Sequence, residues 1–173
     1  ELSSAMKAKY SQVSTIASQV STDVDIQTLM YAMLQQPNVT SLHQQIFKKT
    51  LNRYYPYVDS VYDYRFYTLD GTGLYPTTSN LNTVVEERWI QKAMDAQGQL
   101  IWVGQDKKGQ RYSYAIKVIR LMNYSYENSG FLVLKLENEY FDTKFENSTN
   151  FIQIYDNSEY LIIQFHKGIS ELG

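Results

Sequence analysis

The amino-acid sequence predicts an α+β domain: a central antiparallel sheet of about five strands with a long N-terminal helix packed along it. Three observations carry this. Apolar residues recur at steps of three and four over residues 1–36, the spacing of one helix face. Residues 58–69 switch to strict alternation, the period of a half-buried strand. Residues 86–137 then read as one amphipathic helix followed by three strands, with Trp89 and Trp102 bracketing the turn between helix and sheet.

In chain order, Leu2, Met6, Val13, Ala17, Val20 and Val24 form a narrow apolar stripe, with Tyr10 in phase. Such a stripe packs on a sheet or on a twin helix. Ser21 to Asp25 opens a second set faced by Ile26, Leu29, Met30, Met33 and Leu34, and Pro37 closes it. A short helix follows within residues 39–57, with Leu42, Ile46, Phe47 and Leu51 at helical spacing. From Val58 to Leu69 a strand places Tyr62, Tyr64 and Phe66 on one face and Asp63, Arg65 and Tyr67 on the other. Asp70-Gly71-Thr72-Gly73 turns it back through Leu74 and Tyr75.

Thr83 and Glu86 fit a capping box, which starts the next helix at Thr83. Val85, Trp89, Ala93 and Ala96 are its buried stripe and Gly98 its stop. Strands are expected over 99–105, 111–121 and 130–136, with a turn at Gly109 and a polar loop over 123–129. A short helix is expected over 139–147, then a hairpin of residues 151–155 and 160–165 that joins the main sheet or opens a second domain.

The sequence contains 173 residues with a net charge of −2, and its 16 Lys and Arg are scattered rather than clustered. Nucleic acid is therefore excluded as a partner, since phosphate binding needs a concentrated basic face. Cysteine is absent, which removes disulfides, thiol nucleophiles and thiolate metal sites. The chain opens on Glu1 and holds no run of about 18 apolar residues. It reads as a piece of a longer protein whose membrane segments lie outside it. Tyrosine is over-used, 16 residues in all, and concentrated between Tyr54 and Tyr75.

The order of elements is that of a PAS-like sheet with a leading helix. Within it, Trp89, Ala93, Gly98 and Trp102, followed by YSYAIKVIR and GFLVLKLE, resemble the Cache sensor domains. The likeness is to the extracytoplasmic sensors of Gram-positive two-component histidine kinases. It implies residues 1–57 as a helical lead-in, 58–147 as the sensor domain and 148–173 as the start of a membrane-proximal second half. It also implies an extracellular ligand sensor with transmembrane helices on either side, a homodimeric parent and a cytoplasmic kinase. A chemoreceptor-type sensor or a non-catalytic protein-interaction module is the alternative. Cache domains that read amino acids carry an Arg ahead of a Trp-Tyr pair; here Trp89 is followed by Ile90 and position 106 is Asp.

No catalytic motif stands out. His43 and His166 lie far apart, no group of residues has metal-ligand spacing, and there is no phosphate loop or nucleophile elbow. Catalytic residues, metals and cofactors are therefore expected to be none. In the layout implied by the resemblance, the pocket lies between the sheet and the segment Tyr75 to Ala93. Its candidate residues are Arg65, Tyr67, Trp89, Trp102, Tyr112, Tyr114 and Lys117. Aromatic walls with a few polar groups suit a sugar-like or other small solute. An extracellular protein is the other partner class.

Overall fold

The computed structural model describes residues 4–55, 61–103, 112–137, 152–155 and 161–165. Four helices, α1 (Ser4–Thr22), α2 (Val24–Gln35), α3 (Ser41–Leu51) and α4 (Glu87–Asp95), accompany a five-stranded antiparallel sheet. Its strands are β1 (Val61–Thr68), β2 (Gly73–Tyr75), β3 (Ile101–Trp102), β4 (Tyr112–Leu121) and β5 (Glu127–Glu137), in the spatial order β2-β1-β5-β4-β3. The expected α+β sheet with helices along it is the architecture found. β6 (Ile152–Tyr155) and β7 (Leu161–Phe165) pair as a separate two-stranded sheet. The expected turn at Gly109 and the helix over 139–147 fall outside the described residues. Among the described residues, no helix is long and apolar enough to cross a membrane.

Period-two alternation gives the sheet two buried faces. On one, Tyr64, Phe66, Ala115, Ile119, Leu132 and Leu134 meet the inward stripes of α1, α2 and α3. The lead-in helices thus share a single core with the sheet. On the other, Tyr67, Ile116, Val118, Phe131 and Val133 meet Leu81, Val85, Trp89 and Ala93 from the α4 segment. Gly130 lies where neighbouring elements leave no room for a side chain. A Cβ there would collide with the Tyr67 carbonyl of β1 and the Met30 side chain of α2.

Asp23 ends the first helical stripe and begins the second. Its carboxylate accepts from the Asp25 backbone N–H at 2.8 Å, capping α2. It also accepts from the Tyr54 hydroxyl and from Arg53 at 3.3 Å, tying the end of α3 to the α1–α2 junction. The N-terminal stripe is wider than expected, since Ile16 and Lys9 are buried with Val13, Ala17 and Val20. Val24 and Leu42 are instead exposed, at 78% and 63%.

Three element boundaries differ from expectation, the first being the strand expected over 99–105, of which the described residues form strand only at Ile101–Trp102. The helix does not start at Thr83. Residues Leu81–Thr83 form a single 3-10 turn, and α4 begins at Glu87 after Glu86 in extended conformation with no side-chain cap. The reason is packing. Leu81 donates to the Gly71 carbonyl at 2.8 Å and buries its side chain, while the Thr83 hydroxyl donates backward to Asn80 at 2.7 Å. β5 begins at Glu127, three residues earlier than its apolar run, because Ser125 and Tyr126 take left-handed backbone at φ 55° and 57° and tighten the turn.

Candidate site on the α4 face of the sheet

Strand register sorts the candidate side chains by face. On the α4 side, Tyr67 sits beside Phe131 of β5, which neighbours Val118 of β4. The next row is Arg65, Val133 and Ile116; the one after is Asp63, Lys135 and Tyr114. The face therefore divides. Its half near the β1–β2 turn is apolar and covered by α4, and its other half carries charges and phenols that remain half-buried.

That polar half is a connected group. Arg65 Nε donates to Asp63 Oδ2 at 3.0 Å, with the two side chains only 18% and 27% exposed. Burial alone would push the guanidinium down, but the bonds to Asp63 and Tyr67 outweigh it and hold Arg65 above its ordinary range. Tyr114 is pushed up, chiefly by burial, while the nearby Arg65 charge pulls it the other way. Lys135 sits 4.1 Å from the centre of the Tyr112 ring, a cation–π contact. Tyr67, whose ring is fully buried, shares a 3.2 Å hydrogen bond with Ser79, tying the loop after β2 to the sheet. A polar cavity of about 390 Å³ opens at the far end of this face, between the β1–β2 turn and the start of α4, lined by Asp70, Asn80, Asn82 and Glu87.

The structure thus brings Arg65, Tyr67, Tyr112 and Tyr114 together on one face. Trp89 is on the same side, but as the central apolar residue of α4, 3% exposed, with the Arg88 guanidinium over its ring at 5.2 Å. Trp102 and Lys117 point the other way. Trp102 is buried in the helix-side core and stacks on Tyr10 of α1 at 5.1 Å, an alternation set by its pairing with Ala115. Lys117 pairs across β5 with Leu132, whose face meets α1–α3, and burial pushes its amine down. Sequence reasoning missed Asp63, Ser79 and Lys135 as members of the group. The i, i+2 pairing of Asp63 with Arg65 on one strand face was the available signal. Among the described residues, no three His, Asp or Glu side chains gather as a metal site.

This arrangement of sheet and helices is found in solved domains of other proteins. The extracellular domain of vpHK1S-Z8, a protein assigned as a histidine kinase, superposes with a TM-score of 0.57 at 14% identity over 82% of this chain and 55% of that one. A domain of a sensory box/GGDEF family protein from Vibrio parahaemolyticus gives 0.54 at 14% identity, over 90% and 60%. The fold is PAS/Cache-like. The ligand-binding domain of the Campylobacter jejuni chemoreceptor Tlp3, solved with L-valine, gives 0.44 at 12% identity, a likeness too distant to carry weight. The chain spans little more than half the length of the first two domains. No family model and no curated protein matches it.

Proposed function

We propose that this chain is the ligand-sensing part of an extracellular receptor domain, and that its ligand sits on the polar half of the α4 face. The observation that carries the reading is the Arg65–Asp63 pair with Tyr114 and Lys135 beside it. Placing charges half-buried in mid-sheet costs desolvation that an apolar pair would avoid. Stability alone gives no reason for them; recognition of a polar solute does. Asp63 compensates Arg65, and Lys135 lies on the uncharged Tyr112 ring, so these three charged side chains leave one positive charge beside the phenols. Phenols beside a paired guanidinium and an ammonium suit a small hydroxylated solute such as a sugar.

The solved domains of like fold belong to a kinase-assigned protein and a GGDEF-family protein, so the fold alone does not fix the output. In our reading the parent is a membrane-bound histidine kinase, and the β6–β7 hairpin opens a second, membrane-proximal half. Binding on the sheet would bias α1, which packs on its opposite face, and so pass a small shift to the membrane. The test is a thermal-shift screen of this chain against sugars, amino acids and organic acids. A stabilising hit that Arg65→Ala abolishes with circular dichroism unchanged supports the site. Hits that Arg65→Ala leaves intact would place the ligand elsewhere.

A further inference from the structure

The β4–β5 hairpin tip carries a feature that the sensing reading does not use. Within the turn 122–126, Tyr124 and Tyr126 are 46% and 55% exposed, yet neither is loose. The Tyr124 ring lies on Tyr31 of α2 at 4.0 Å and 8°, nearly parallel. The Arg120 guanidinium lies 5.4 Å from the centre of the Tyr126 ring, and donates to the Tyr126 carbonyl and to the Gln97 carbonyl, both at 3.1 Å. Gly98 leaves room for this brace, since a Cβ there would come within 3.1 Å of Arg120 Cδ. Gln27 fixes the base of the tip: it donates to the Arg120 carbonyl at 2.9 Å and accepts from the Met122 N–H at 3.0 Å. Tyr126 is held at φ 57°, a conformation that disfavours a bulky side chain.

We propose that this tip is a carbohydrate-binding platform, with the Tyr124 and Tyr126 rings stacking on sugar units of a hydroxyl-rich chain. Each ring has one face backed by a fixed neighbour, so binding costs little further side-chain entropy. The residues interleaved with the rings are Asn123, Ser125, Glu127 and Asn128, whose amide, hydroxyl and carboxylate groups match sugar hydroxyls as donors and acceptors. A protein partner would call for a contiguous apolar centre, whereas Met122 is the one aliphatic side chain between Leu121 and Asn128. Position agrees. The tip adjoins the C-terminal end of α1, so the 19 residues of α1 carry the chain about 28 Å away, and the 11 of β5 about 36 Å. The tip thus lies at the opposite end of α1 from Ser4 and of β5 from Glu137.

The inference is independent of the α4-face site and is tested separately from it. Chitohexaose, cellohexaose and maltohexaose are titrated by calorimetry into the Arg65→Ala chain, in which the α4-face site is disabled, and into that chain carrying Tyr124→Ala or Tyr126→Gly. Glycine suits the left-handed position, so Tyr126→Gly removes the ring without strain on the turn. We expect at least one hexasaccharide to bind the Arg65→Ala chain and a loss of about tenfold or more when either tyrosine is also replaced. The proposal is overturned if none of the three binds the Arg65→Ala chain, or if binding survives either tyrosine replacement. Sedimentation showing that the same tyrosines join two copies of the chain would equally overturn it.

Discussion

Arg65 and Lys117 are both cations in the middle of a strand, and the sequence alone offers the same reading for each. Register separates them. Arg65 meets Asp63 and Tyr114 on the α4 face, while Lys117 lies with Leu132 on the face packed by α1–α3. Arg65→Ala should therefore remove the ligand response, whereas Lys117→Met should keep it and raise Tm by about 2 °C or more, because a desolvated charge is removed. Thermal unfolding of both variants, with and without ligand, checks this. Tyr54 makes a second prediction. Burial first, then the hydrogen bond to Asp23, push its phenol from 10.0 up to about 12. The folded state then holds this proton more tightly than the unfolded state, so the contribution is present below about pH 10 and lost as pH climbs toward about 12. Urea unfolding at about pH 9 and about pH 11 should show that loss, and Tyr54→Phe should lessen it without abolishing it, because Tyr55, Tyr64, Tyr75 and Tyr114 are raised too.

At the scale of elements, α4 joins loop to sheet. Trp89 and Ala93 lie on its buried side, and Val85 and Leu81 extend the contact back through the 3-10 turn. Trp89→Ala should cost about 3–5 kcal/mol, read as a lowered denaturation midpoint with an unchanged slope. Gly130→Ala tests the opposite joint. Both obstructions, the Tyr67 carbonyl and Met30, belong to packed elements, so we expect a loss of more than about 2 kcal/mol and a strand that still pairs. The helices, the β1–β2 turn and the faces of β1 and β4 were legible because their periodicity is local. The start of α4 was not. Thr83 and Glu86 have the spacing of a cap, but the burial of Leu81 and its bond to Gly71 override that preference from across the fold.

Over the whole molecule, one sheet separates two cores. The helix side is apolar around Tyr64, Phe66 and Trp102; the α4 side changes halfway from a core to a group of charges and phenols. Sequence could name Arg65, Tyr67, Tyr112 and Tyr114 as candidates, since alternation gives the face of each residue within its own strand. It could not show that Trp102 falls on the other side, because that follows from the pairing of β3 with β4 rather than from either strand alone. Nor could it show Lys135 beside Asp63, a neighbour set by β5 register over a long chain separation. The central claim, that the polar half of the α4 face receives the ligand, is tested most directly by calorimetric titration of the best-stabilising solute from the screen. Wild type, Arg65→Ala and Lys117→Met should be compared side by side. The account predicts a loss of about tenfold or more in Arg65→Ala and wild-type affinity in Lys117→Met. Equal affinity in wild type and Arg65→Ala, or a loss confined to Lys117→Met, would contradict it.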